Sequence, residues 1–150
     1  MSWSARLATL FGIGRMPHAP GTAASLVAAA VAWPIAAAAG SWVLLPLGVA
    51  VGLAAVPIAD RYARECGRDD PSDCVIDELA GQWLACAFAP LSLWGFMLAF
   101  VAFRLFDMTK LWPVSAAESL KGGAGIVADD IVAGLLAGVV VMLLRRLGLA

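Results

Sequence analysis

The chain has 150 residues, 62% of them hydrophobic and 14% charged, with a mean hydropathy of +0.88. Soluble domains are about 45–50% apolar and about 25% charged, so a disordered chain and an ordinary water-soluble globule are excluded. A net charge of −1 excludes a nucleic-acid module built on a basic patch. The composition describes an integral membrane protein of one domain, residues 1–150, in which the few charges are the informative residues.

At the N-terminus, Trp3, Leu7, Leu10 and Phe11 recur at helical spacing, with Ser2, Ser4, Arg6 and Thr9 opposite. This predicts a short interfacial helix lying on the membrane. The segment lacks the apolar core of a signal peptide. Gly12 to Thr22 follows, with prolines and glycines that prevent a regular helix. Thr22 or its neighbours then sit at a helix N-terminus, where free N–H groups favour an anion. Arg15 and His18 can add charge-assisted contacts to phosphate. The plainer reading is a loop ending in a helix cap.

Met16–Ala59 carries no Asp, Glu, Lys or Arg over 44 residues, room for two spanning helices. Gly40-Ser41-Trp42 is a turn with an interfacial Trp, so spans fall near Ala23–Ala39 and Val43–Ala59. Asp70 and Asp73 suit a turn or an N-cap. Asp77-Glu78 is different: an acidic pair at the edge of an apolar stretch is costly unless compensated.

Leu79–Phe103, 25 residues, is the second charge-free stretch. It fits one tilted helix, or a hairpin of Val75–Ala89 and Ser92–Phe106 broken around Pro90. A proline inside a helix removes a hydrogen bond and clashes with the preceding turn, which favours the hairpin. Arg104, Asp107 and Lys110 follow at i, i+3, i+6 and share one face if the helix continues. This is either an exposed ion-pair ladder or part of a site. Lys121-Gly122-Gly123-Ala124-Gly125 then leads to Asp129-Asp130, at the mouth of a last helix near Ala128–Leu144. A glycine-rich loop can bring backbone to a phosphate. Acidic residues also suit a helix N-terminus through the macrodipole.

The expected fold is therefore an all-α, polytopic membrane bundle of about five hydrophobic helices behind an N-terminal interfacial helix. The parity puts every acidic residue and all basic ones except Arg145 and Arg146 on one side. The positive-inside bias makes that side cytoplasmic. Gly48/Gly52 and Gly134/Gly138 form Gly-x-x-x-Gly patterns, which pack helices within the bundle or between protomers of a homo-oligomer. Cys66, Cys74 and Cys86 form no C-x-x-C pair, and one His cannot build a multi-His metal site. Cys86 reads as helix packing.

Asp77, Glu78, Asp107, Asp129 and Asp130 thus come from three helix ends on one face. Two carboxylates about 4 Å apart repel by about 4 kcal/mol at an effective dielectric of 20, so such a group needs cations. Oxygen-only ligands suit Mg²⁺. Arg15, His18, Arg104, Lys110 and Lys121 nearby suit a phosphate. Carboxylates, Mg²⁺ and basic residues together point to phosphoryl chemistry, and the lipid-embedded scaffold points to a membrane substrate. A small ion or Mg²⁺ transporter would also gather carboxylates, but should place some of them mid-span.

Four segments in this order resemble the phosphatidylglycerophosphatase A family. They are Gly12-x-Gly14-x-x-Pro17-x-Ala19-Pro20-Gly21-Thr22, Val75-x-Asp77-Glu78-x-x-Gly81, Phe103-Arg104-x-Phe106-Asp107-x-x-Lys110, and Gly122-Gly123-x-Gly125-Ile126-x-x-Asp129-Asp130-x-x-Ala133-Gly134. Two positions depart from the family pattern: Lys110 is followed by Leu111 rather than Pro, and Val127 stands where Met is usual. The resemblance implies Mg²⁺-dependent hydrolysis of phosphatidylglycerophosphate to phosphatidylglycerol and phosphate in the bacterial inner membrane. Another membrane phospholipid is the alternative substrate. There is no Asp-x-Asp-x-Thr, no Cys-x₅-Arg and only one His. Attack by a metal-activated water is the mechanism left. Asp77, Glu78, Asp107, Asp129 and Asp130 would then supply the metal shell and the general base, with Glu78 the first choice of base. Lys110, Arg104 and Arg15 would hold the phosphate, with Thr22 and Lys121 in the loops closing over it. His18 would protonate the leaving oxygen.

Overall fold

The computed structural model describes residues 1–150 and is entirely helical. Seven α-helices follow one another: α1 (Trp3–Ala8), α2 (Pro20–Ala39), α3 (Leu44–Cys66), α4 (Ile76–Ala87), α5 (Leu93–Thr109), α6 (Val114–Glu118) and α7 (Gly123–Arg146). Three of them, α2, α3 with its preceding turn, and α7, are long and apolar enough to cross a membrane. The hairpin reading of the middle stretch is correct: α4 and α5 are separate helices broken at Phe88–Ser92. Ser92 caps α5 by accepting from the Gly95 N–H at 3.0 Å.

The packing inverts the soluble pattern. Along α2, Ala24, Ala28, Ala32 and Ala36 are buried at every fourth position, while Leu26, Val27, Val31 and Trp33 face outward. Small residues let backbones approach closely where lipid supplies the apolar exterior. Trp83 of α4 exploits the alanine stripe, and its indole N–H donates to the Ala28 carbonyl at 3.0 Å.

α4 is the hub. Nine of its twelve residues are buried, and it packs against α2, α3, α5 and α7. Gly81 lies under Phe103, and a Cβ there would come within 2.6 Å of the Asp130 carbonyl. Gly134 of α7 lies directly on the Gly81 backbone, Gly138 on the Phe88 ring, Gly48 against Leu84 and Gly52 against Ile131. Both Gly-x-x-x-Gly patterns are therefore filled by helices of the same chain.

Several expected boundaries shift. α3 runs to Cys66 rather than Ala59, carried past the apolar stretch by the Asp60–Arg64 and Arg61–Glu65 ion pairs. α7 begins at Gly123 rather than Ala128. α6 has no counterpart in the sequence reading. α1 forms, with one difference: part of its polar face is turned inward. Ser4 and Thr9 are buried, while Trp3 and Phe11 are exposed. The reason is distant in sequence: Ser2 and Ser4 both donate to Glu65 Oε2 at 2.6 Å.

The helices alternate in direction. The start of α2, the end of α3, the start of α4, the end of α5 and the start of α7 meet at one end of the bundle. The contacts there run from Gly21 to Glu78, from Gly123 to Asp60, and from Lys110 to Asp129. Trp94 at the other end bonds the Leu149 carbonyl. All the carboxylates thus lie at one end.

Candidate active site

At the charged end, α4, α5 and α7 bring five carboxylates together. Asp77 and Glu78 stand in the first turn of α4. Asp107 is near the end of α5. Asp129 and Asp130 lie nearly two turns inside α7, about 9 Å from its start at 1.5 Å per residue. They are deeper than the mouth of the helix, where the sequence reading put them. The macrodipole acts only over the first turn, so it does not account for them. Asp77, Asp129 and Asp130 are 9%, 6% and 3% exposed. Buried carboxylates at that depth need a compensating cation.

The carboxylates form two overlapping groups, Asp77–Glu78–Asp130 and Asp107–Asp129–Asp130. Within each, oxygens from all three residues lie within 4.8 Å of one another. Two cations are interleaved. Arg104 Nη1 donates to Asp107 Oδ2 at 2.6 Å and lies 3.7 Å from Glu78 Oε1. Lys110 pairs with Asp129, and its Nζ is 3.4 Å from Asp107 Oδ1 and 3.9 Å from Glu118 Oε1. Burial pulls the Lys110 pKa down, but the bond and charge of Asp129 outweigh this and raise it above the ordinary lysine value. Lys110 therefore stays cationic at neutral pH.

Two cations do not satisfy five carboxylates. Glu78 Oε2 and Asp130 Oδ2 are buried without any hydrogen-bond partner. Both are acceptors left unpaired, as is one buried donor, Arg104 Nε. The donor set is all oxygen, and Asp130 belongs to both groups. This cluster can hold a metal ion, and the residues suit a hard divalent cation.

The cluster opens into a cavity of about 610 Å³. Its floor is the carboxylates and Lys110, and its rim carries Asp69, Asp70, Glu118, Leu120 and Lys121. Asp73 is held aside, accepting from the Tyr62 hydroxyl at 2.5 Å and from Arg68 Nη2 at 3.1 Å. It neither caps α4 nor faces the cavity.

The structure brings together Asp77, Glu78, Arg104, Asp107, Lys110, Asp129 and Asp130, with Lys121 on the rim. It does not bring in Arg15, His18 or Thr22. Arg15 and His18 are exposed on the loop before α2, and none of the three lines the cavity. The loop acts through Gly21 instead. Ala19 adopts a left-handed backbone and Pro20 opens α2, which sets Gly21 against the Glu78 carboxylate, where a Cβ would also lie 3.3 Å from Arg104 Nη1. Nor is the glycine loop before α7 a free anion cradle. Asp60 Oδ1 accepts from the Gly123 N–H at 3.2 Å and occupies that helix start.

Two residues escaped the sequence reading. Glu118 of α6 joins Lys110, and Asp60 fixes the start of α7. Asp60 had a weak signal, as the first charge after a 44-residue apolar stretch. Glu118 had none, since α6 is too short to show periodicity.

The chain is similar to known proteins over most of its length. The family model described as Phosphatidylglycerophosphatase A matches residues 6–145. The chain is 37% identical to phosphatidylglycerophosphatase A of Escherichia coli over 133 residues, 87% of this chain and 76% of the relative. It is 30% identical to phosphatidylglycerophosphatase A of Haemophilus influenzae, covering 93% and 86% of the two chains. It is also 33% identical to a Bacteroides thetaiotaomicron protein provisionally named phosphatidylinositol-3-phosphatase, covering 93% and 91%. No solved structure gives a significant match.

Proposed function

The chain belongs to the phosphatidylglycerophosphatase A family, and from this we propose that it hydrolyses phosphatidylglycerophosphate to phosphatidylglycerol and inorganic phosphate. The reading makes it a single membrane-embedded domain of a bacterial inner membrane, with the carboxylate end facing the cytoplasm. One observation carries it: five carboxylates and two cations converge at one end of an apolar bundle, with two buried oxygens left for a metal. Family membership makes the chain an enzyme and replaces the transporter alternative.

Asp77, Glu78, Asp107, Asp129 and Asp130 would hold Mg²⁺. Bound there, Mg²⁺ supplies a Lewis acid for the phosphoryl oxygens and lowers the pKa of water. The chain's own residues do the rest. Lys110 and Arg104 turn toward the phosphate oxygens, with Lys121 reaching in from the rim. Lys110 suits this task because its Nζ stands among the carboxylates on the cavity floor. Glu78, with one oxygen unpartnered, accepts the proton of the attacking water. The new P–O bond forms as the bond to the glycerol oxygen breaks, and that oxygen takes a proton from water in the open cavity. Gly21 sets the positions of Glu78 and Arg104 without touching substrate.

The test is phosphate release from phosphatidylglycerophosphate in detergent micelles, with Mg²⁺ or with chelator. Release that needs the metal is the expected result. Absence of release under both conditions contradicts the proposal. The Bacteroides relative's name supports a second reading, a phosphoinositide substrate. The same assay with phosphatidylinositol 3-phosphate ranks the two by kcat/KM.

A further inference from the structure

Beside the polar cavity lies a second concavity of a different character. It is a groove of about 330 Å³ between α3 and α7, on the outer surface of the bundle. Nine of its ten lining residues are hydrophobic, and the tenth is Gly52. Its α3 wall carries Leu53 and Val56, and its α7 wall carries Ala124 and Ala128. Small residues make the hollow: Gly52 on one helix, and Ala124 and Ala128 on the other. The groove follows α7 from Ala124 to Val132, about 12 Å at 1.5 Å per residue. It therefore starts at the charged end and descends along the bundle.

Leu120 is the junction. It lines the groove and also lines the polar cavity. It sits in the connection between α6 and α7, 54% exposed, next to Lys121 on the cavity rim. α7 thus presents Asp129 and Asp130 on one face and the groove wall on another. A phosphate in the cavity and an apolar chain in the groove would belong to one molecule passing over Leu120.

We propose that the α3–α7 groove binds one acyl chain of the phospholipid substrate, which reaches the carboxylates laterally from the bilayer past Leu120. This rests on the lipid phosphatase reading and deepens it. The adjacency of the two hollows at Leu120 is what identifies the occupant. A soluble phosphate ester would need only the cavity, and a lipid lodged in an unconnected groove would be structural. An amphiphile with a phosphate head is the ligand whose two ends match both. Binding of the remote chain then positions the head for reaction.

The test uses the full chain in mixed micelles with two substrates, long-chain and dihexanoyl phosphatidylglycerophosphate. Leu53 is 71% exposed at the groove rim, so Leu53→Trp fills the hollow without disturbing the core. Val49→Trp, one turn further along, is the second variant. Leu26→Trp on the outer face of α2 is the control. The ratio of long-chain to short-chain kcat/KM should fall roughly tenfold, mostly through KM, in both groove variants. It should hold its wild-type value in Leu26→Trp. An unchanged ratio in both groove variants overturns the proposal. So does an equal loss on both substrates, because the substitutions would then act on the fold and not on the chain. A wild-type protein inactive on both substrates overturns the phosphatase reading and the groove with it.

Discussion

At the scale of single residues, Gly21 links a loop to the chemistry. A side chain there meets the Glu78 carboxylate and lies close to Arg104, two groups that the proposed reaction uses. Gly21→Ala should lower kcat/KM by about 10–100-fold with the helical content unchanged, because displacements near 1 Å cost about that much. Full activity in this variant would show that the loop does not press on Glu78. His18 makes the opposite prediction. It is exposed and off the cavity, so His18→Ala should keep wild-type phosphate release across the pH range. A lost acidic or basic limb in its pH–rate profile would return His18 to the reaction. The sequence suggested His18 because a lone imidazole next to a glycine-rich loop has the right chemistry. Its position depends on how Ala19 and Pro20 turn the chain, which residue type alone does not specify.

At the scale of elements, α4 ties the carboxylates to the core of the bundle. It carries Asp77 and Glu78 at one end and is buried on most of its faces. Gly81 and Gly134 let α4 and α7 touch backbone to backbone, which fixes Asp77 and Glu78 relative to Asp129 and Asp130. Gly134→Val should therefore destabilise the bundle by about 1–3 kcal/mol, the usual cost of overpacking, or more where backbone blocks relief. Thermal unfolding in detergent would register this as a lowered midpoint. An unchanged midpoint would mean that α4 and α7 are not in close contact. The hairpin was legible because Pro90 interrupts the apolar run. The burial of α4 was not, since a helix facing lipid and a helix facing protein are both apolar in sequence. The start of α7 was hidden for a related reason. Gly122 and Gly123 read as loop, and only Asp60 of α3, 63 residues away, shows that a helix begins there.

At the scale of the whole molecule, the distribution of charge follows from helix parity. Five helices alternate, so the charged connections meet at one end and the uncharged turns at the other. Single cysteines at Ser72 and Ser119 should be labelled by a membrane-impermeant reagent from one side, and cysteines at Ser41 and Ser92 from the other. Labelling of Ser92 from the same side as Ser72 would break the topology. Asp77-Glu78 and Asp129-Asp130 were recognisable as a site because acidic pairs in apolar surroundings need a partner. Their mutual arrangement was not, because Asp130 reaches both carboxylate groups only after α7 has begun six residues before Asp129. The groove was invisible in sequence, since its alanines and valines match every other apolar stretch.

The central claim is that these carboxylates form one metal-dependent centre for phosphate hydrolysis. Asp77 and Asp129 belong to different groups and different helices, so they test it independently. Phosphate release from phosphatidylglycerophosphate with saturating Mg²⁺ should fall by at least about 10² in Asp77→Asn and in Asp129→Asn, with both variants still folded. Wild-type turnover in either variant, or turnover indifferent to chelator, would contradict it.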